Sequence, residues 1–376
     1  MVLSPRSLAL VAVVTLAAAP AALAQKAPKA PAKVKESTES MVTKQTLESI
    51  LNAVNDAWFG QPYQNVNAVD IQGRLDIQLS AAALNAKVDQ ASQGQVKGGI
   101  TKDGKAQLQV KSTYFANADF KTEATGTFGN VLWYRVGSRG FLYSQSHNAY
   151  TTRVEPPPAD APLTYLGWFR SLLNDIKAVY VDGPVFKGSL GREENQGGRV
   201  FQTLVFEAPT SSYDPKKREQ SLAESMGFWK RGRLEIKVDK ANRQPQRMTY
   251  TNVGQGIRAQ MDFTYDDKGR PTQILLANSS KGMEGPGYVK ASYGTDGRVN
   301  HVAGELGSKD KKVNFDLQLG WASGRNASSI RSVPPPTASI RSAEDMEIAL
   351  FTGLAQNILE LQRAGFNLRS ISLSPK

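Results

Sequence analysis

The sequence predicts an α+β fold built on a strongly curved antiparallel sheet. Three observations carry that prediction. Apolar and polar residues alternate through most of the chain, as in strands with one wet face. Short polar turns such as Asp103-Gly104, Gly129-Asn130 and Asp296-Gly297 separate the alternating stretches. Only a few segments carry helical spacing. A sheet of so many strands must curl, because large twisted sheets rarely stay flat.

The elements follow in order. Residues 1–24 read as a secretory signal: Arg6 supplies the positive end, Leu8 to Ala19 an apolar run, and Ala22-Leu23-Ala24 a small-x-small cleavage site. Residues 25–40 are rich in Lys, Ala and Pro and read as a charged linker. A helix is expected from Lys44 to Phe59, where Leu47, Ile50, Leu51, Val54 and Trp58 share a face and Gly60 and Pro62 stop it. From Val69 to Leu79 the apolar residues take odd positions, so a strand begins. Further strands are expected over 106–111, 120–128, 131–136, 141–146 and 150–154. After midchain they resume at 200–206, 233–238, 246–253, 257–265, 272–277, 288–293, 301–306 and 313–319.

Helices interrupt this meander. Residues 162–177 carry Leu163, Leu166, Trp168, Phe169, Leu172, Leu173 and Ile176, more apolar surface than an exposed helix needs. A shorter helix is expected at 214–227, with Asp214 as cap and Pro215 at its first position. The last runs from about Ser342 to Arg363 along Met346, Leu350, Leu354, Ile358 and Leu361. Residues 41–376 read as a single domain with extra strands at about 254–312.

Composition excludes several chemistries. The 376-residue chain has no Cys, which removes disulfides, thiol nucleophiles, Cys–zinc sites and a lipidated N-terminal Cys. Two His residues, His147 and His301, leave little for a metal centre, so neither metal nor cofactor is expected. Ser308-x-x-Lys311 has the spacing of a penicillin-recognising nucleophile but falls in a polar turn, without the helix that chemistry requires. Glu193-Glu194 and Asp266-Asp267 are likewise expected in turns. No enzyme is expected.

The charge is uneven. Residues 215–247 hold ten basic side chains against four acids, a net +6, half of the chain's +12. Lys216, Lys217 and Arg218 stand in a first helical turn, where the macrodipole disfavours cations. With Lys230, Arg231 and Arg233 they read either as a solvated face or as a surface for an anionic membrane or an acidic protein. An exported chain lacking any recognition motif is not expected to bind nucleic acid.

RGFLYSQSHNAYTT (139–152), the leucine-rich helix after it, GRVFQTLVFEAP (198–209), RLEIKVDKANRQPQRMTYTN (233–252), VNFDLQL (313–319) and VPPP (333–336) follow one another in order. Together they resemble the LolA-type periplasmic lipoprotein carriers and their LppX-like relatives. The resemblance spans about 131–253 and 313–336. It implies an unclosed β-barrel with helices lining or plugging its concave face and an apolar cavity for acyl chains, while the signal segment leads us to expect a periplasmic or otherwise exported protein. Trp133, Leu166, Trp168, Phe169 and Leu173 are the candidates to line that cavity, with ordinary core as their other reading. The expected function is non-enzymatic binding or transport of a lipid or lipoprotein acyl chain. The alternative is a structural or regulatory envelope module with a filled core and a protein partner.

Processing gives the first testable expectation. Exported protein should begin at Gln25 on N-terminal sequencing, since Ala22 and Ala24 direct cleavage there. Mature protein beginning at Met1 would overturn it.

Overall fold

The computed structural model describes residues 37–83, 85, 102–117, 119–126, 129–152, 173–174, 176–182, 187–207, 232–252, 257–278, 285–308, 311–342 and 346. The signal segment, the helix expected at 214–227, and most of those expected at 162–177 and 342–363 lie outside the described residues. What is described is mostly strand of a curved, unclosed antiparallel sheet.

Helix α1 spans Thr38–Phe59. Strands follow in chain order: β1 Val66–Leu79, β2 Gly104–Phe115, β3 Phe120–Gly126, β4 Gly129–Val136, β5 Arg139–Ser144 and β6 Ala149–Thr151. Next come β7 Lys187–Gln196, β8 Arg199–Glu207, β9 Arg233–Asp239, β10 Pro245–Asn252, β11 Ile257–Tyr265 and β12 Pro271–Asn278. The last are β13 Gly285–Tyr293, β14 Val299–Ser308, β15 Lys311–Ser323 and the two-residue β16 Ser339–Ile340. The chain forms two compact units, with the boundary inside β13. The first contains the described residues of 64–167 and 289–376, the second those up to Tyr63 and of 168–288.

In the first unit the strand order is β16-β6-β5-β4-β3-β2-β1-β15-β14. All neighbours are antiparallel except β16 and β6. Strand β1 is central because both its neighbours match its alternation. Leu75 stands between Leu108 and Phe315, Ile77 between Ala106 and Val313, and Val69 between Tyr114 and Trp321. Most of these side chains are buried. On the reverse face Asp70, Arg74 and Asp76 stand among Thr113, Gln109, Asp316 and Asn314. One row is notched at Gly73, between Val110 and Leu317. A Cβ there would lie 2.0 Å from the Asp316 carbonyl oxygen and 2.8 Å from Leu317 Cα. Gly320, on the reverse face, has only Asp70 Cβ within reach, at 4.0 Å.

In the second unit the order is β12-β11-β10-β9-β8-β7. One row runs Leu190–Leu204–Ile236–Met248–Met261–Leu276, and a second Gly188–Phe206–Leu234–Tyr250–Ala259. Helix α1 buries Leu47, Ile50, Leu51, Val54 and Trp58. Each such side chain contributes about 1.5–3 kcal/mol. Strand β7 comes close under α1: the Gly188 N–H donates to Ser40 Oγ at 3.1 Å, and a Cβ on Gly188 would meet Thr43. At the other end Trp58 packs against Phe263 and Tyr265, ring centroids 5.8 and 6.3 Å away.

Three elements differ from expectation. Helix α1 starts at Thr38 rather than Lys44, because Ser37 caps it by accepting from the Ser40 N–H at 3.2 Å. Its polar first turn gave no apolar signal. Strand β7 was not expected at all: its sequence, KGSLGREENQ, has one large apolar residue, and its pairing with β8 holds it. Strand β16 is fixed only by its parallel partner β6.

The notch gives a stability prediction. Gly73→Ala should destabilise the fold by about 1–3 kcal/mol through overpacking, seen as a lower Tm in thermal circular dichroism. Gly320→Ala should leave Tm nearly unchanged. Equal behaviour of the two variants would refute the close approach at Gly73.

Candidate functional site

The apolar face of the first unit ends in an aromatic cluster. Trp133 on β4 is 5% exposed. Register sets it between Thr122 and Leu142. Phe120 meets it edge-on at 4.5 Å and stacks on Tyr114 at 5.6 Å. Hydroxyls run through this apolar surface. Ser112 Oγ donates to Thr122 Oγ1 at 3.0 Å, and Thr122 Oγ1 donates to Tyr114 Oη at 3.1 Å. Burial pushes the Tyr114 phenol up to about 12, against the opposing effect of its hydrogen bonds with Thr122 and Ser112. The buried chain of hydroxyls pins Tyr114 and ties β2 to β3. Beside it, the buried Ser144 hydroxyl lies 2.9 Å from His147 Nδ1. His147 stands in the turn that Asn148 closes with a positive φ of 41°. Desolvation pushes its imidazole below the ordinary histidine value.

Leu173 belongs to the second unit, where it is buried with Ile176 and Tyr180. The segment they occupy ends in a π-helical turn, Lys177–Val181, against α1. Tyr180 packs on Phe206 at 5.5 Å, and the Lys177 ammonium pairs with Glu48 at 3.0 Å. Burial, with a smaller contribution from Tyr250, raises the Tyr180 phenol well above its usual range. Of the five candidate lining residues, Trp133 and Leu173 are therefore buried, one in each unit. Leu166, Trp168 and Phe169 lie outside the described residues. Sequence reading passed over Tyr114, Phe120, Ser112 and Thr122. Their signal was present: Ser112 and Thr122 are polar residues at positions where the alternation calls for apolar ones.

The described part of the basic stretch is paired. Arg233 reaches Glu207 at 2.7 Å and Glu235 at 2.6 Å. Lys237 meets Glu194 at 2.6 Å and Lys240 meets Glu193 at 2.5 Å, while Arg247 pairs with Asp262. The Lys237 ammonium, by hydrogen bond first and charge second, holds the Glu194 carboxyl below the usual range. Arg243 instead donates to Ser49 Oγ. Buried Asp239 pairs with Arg199, and the Arg199 and Lys237 cations lie over the Phe201 ring at 5.6 and 5.1 Å. The carboxylates Glu193, Glu194, Glu207 and Asp262 come from other strands, so a count along the sequence window missed them. Lys216, Lys217, Arg218, Lys230 and Arg231 lie outside the described residues.

Catalytic geometry is thin. Ser308 and Lys311 stand opposite each other at a hairpin end, not one helical turn apart. Glu193 and Glu194 are each engaged by a lysine, and Asp266 by Arg270 at 2.6 Å. Among the described residues no group of three His, Asp or Glu is placed to hold a metal ion.

No family description and no curated protein matches the chain. Solved structures do resemble it. One is a lipoprotein-sorting domain of the outer-membrane type from Vibrio parahaemolyticus, at 9% identity and a TM-score of 0.25, covering 82% of this chain and 97% of that one. Another is a LolA superfamily protein from Nitrosomonas europaea, at 11% identity and a TM-score of 0.27, covering 76% and 97%. A third is the lipoprotein LppX from Mycobacterium tuberculosis, at 9% identity and a TM-score of 0.20, covering 75% and 98%. At these values no functional reading is drawn from the likeness.

Burial of the Tyr114 phenol makes stability depend on pH. The Tyr114 phenol titrates higher in the folded protein, at about 12, than an ordinary tyrosine at about 10. Its contribution is therefore complete below pH 10 and disappears as pH rises toward 12, a loss of about 2–3 kcal/mol. Tyr114→Phe should flatten the fall in denaturation midpoint between pH 10 and 12. An unchanged slope would remove Tyr114 from that role.

Proposed function

We propose that this protein is an exported, non-enzymatic carrier that binds the acyl chain of a lipid or lipoprotein in the cell envelope. The observation that carries the reading is the set of apolar rows across β4, β3, β2, β1 and β15, closed at one end by Trp133, Phe120 and Tyr114. The described elements of that unit are strands, turns, one short 3₁₀ turn and a few helical residues at 81–83, 85 and 346, yet the rows are buried. The helix expected at 342–363 is the proposed cover of this face, and the burial of Met346 supports it. An acyl chain held between cover and sheet would gain about 0.8 kcal/mol per methylene. For a sixteen-carbon chain that is on the order of 12 kcal/mol, comparable with the cost of association. Leu166, Trp168, Phe169 and Leu173 are the proposed acyl-lining residues of the expected helix 162–177.

The basic side chains at Lys216, Lys217, Arg218, Lys230 and Arg231 are the proposed contact with an anionic membrane. Arg233 contributes less, since two carboxylates already hold it. A second reading, an envelope module with a filled core and a protein partner, draws support from the same burial. Its rows would need no ligand.

The test separates the two. Protein purified gently from its own envelope should carry lipid in native mass spectrometry. Leu166→Glu and Phe169→Glu variants with unchanged circular dichroism should lose fluorescent-lipid binding by about tenfold or more, because an unpaired charge in an apolar site is costly. Undiminished binding by well-folded variants would reject the cavity. Lipid-free protein whose Glu variants unfold would establish the filled core instead.

A further inference from the structure

The end of the described chain holds a cation without a counter-charge. After β15 the chain passes a 3₁₀ turn at Ala327–Ile330 and Pro334-Pro335-Pro336, then returns to the sheet edge as β16. Its backbone is tied there on both sides. The Ser339 N–H donates to the Asn148 carbonyl at 3.0 Å and the Arg341 N–H to the Tyr150 carbonyl at 2.8 Å. The Asn148 side-chain amide donates to the Thr337 carbonyl at 3.0 Å. Arg341 is thus positioned by its main chain, and its side chain is drawn in. Nε and Nη1 are both shut off from solvent and neither has a hydrogen-bond partner. These atoms carry three of a guanidinium's five N–H donors.

Such an arrangement is costly for an apo protein. Arginine does not discharge by losing its proton. Arg341 as a whole is half-buried, and leaving its dehydrated Nε and Nη1 donors unpaired costs stability. The other ion pairs of this unit show the contrast: Arg325 has Asp70, Lys121 has Glu123 and Lys312 has Glu305. No carboxylate among the described residues lies within ion-pair reach of Arg341.

We propose that Arg341 receives an anionic oxygen group, a carboxylate or phosphate, at the polar end of the amphiphile this protein binds. The inference rests on the acyl-binding reading and adds the headgroup class to it. An oxyanion supplies what the site lacks: a full negative charge and acceptors only, matched to donors that are dehydrated in advance. Neutral lipids such as diacylglycerols leave the guanidinium unpaired and are disfavoured for the same reason that the apo site is strained.

The experiment compares wild type with Arg341→Gln and Arg341→Lys, using parinaric acid, its methyl ester and a fluorescent phosphatidic acid. Arg341→Gln should weaken the acid and the phosphatidic acid about tenfold or more and leave the ester within about twofold, as expected for losing a charge-assisted hydrogen bond. Loss of the phosphatidic acid alone would assign the site to phosphate, and loss of parinaric acid alone to carboxylate. Arg341→Lys should fall between. Ligand-free Arg341→Gln should melt at or above the wild-type temperature, since the unpaired charge is gone. Equal weakening of acid and ester, or none, would overturn the proposal. If wild-type protein binds no acyl probe, the carrier reading fails separately, and inorganic phosphate then decides the anion site. A wild-type Tm raised by phosphate, with no rise in Arg341→Gln, keeps the site, and no rise in wild type removes it.

Discussion

The pairing of β1 with β15 is the constraint on which the first unit depends. The ladder runs from Val66 opposite Ser323 to Leu79 opposite Lys311, almost the full length of both strands. It closes a loop of more than two hundred residues, so its backbone hydrogen bonds form only after a large loss of chain entropy. Once formed it places Leu75, Ile77 and Ile71 in register with Phe315, Val313 and Leu319. The same register sets Arg74 opposite Asp316 on the wet face. A slip of one residue would exchange the two faces along the whole strand. Asn67 reinforces the match at one end: its amide donates to the Arg325 carbonyl at 2.7 Å, and its carbonyl accepts from the Arg325 N–H at 3.1 Å.

The two units handle buried polarity differently. In the first, neutral hydroxyls of Ser112, Thr122 and Tyr114 satisfy one another inside an apolar surface, which requires no charge to be desolvated. In the second, charges are gathered on the reverse of the sheet and matched across strands, with Phe201 beneath Arg199 and Lys237. Exposed pairs of this kind contribute little to stability. Their effect is to neutralise a face that looks strongly basic along the sequence. Arg341 follows neither pattern, a cation drawn in with no anion beside it.

Much of the architecture was legible in the chain. Alternation at odd positions from Val69 to Leu79 located β1, and the run at 257–265 gave β11 to the residue. Both patterns persist because a two-residue period and a half-buried surface are local facts. The aromatic end of the candidate face was half legible. Trp133 stood out by size, while its partners Phe120 and Tyr114 became a cluster only through register. Strand β7 was illegible because its side chains are polar or small, and what makes it a strand is the β8 edge beside it.

The sequence by itself determined the class of fold, the position of most strands, the apolar stripe of α1 and the absence of any cysteine chemistry. Each follows from composition or from a period of two or 3.6 residues, which a reader of neighbours in sequence can see. Only the tertiary structure decided that β1 lies between β2 and β15, because nothing local distinguishes one well-alternating partner from another. It alone decided that Arg233, Lys237, Lys240 and Arg247 are neutralised, since their carboxylates arrive from strands remote in sequence. It alone set Arg341 apart from the other described arginines, because the shielding of its Nε and Nη1 is a property of what surrounds them and not of the residue.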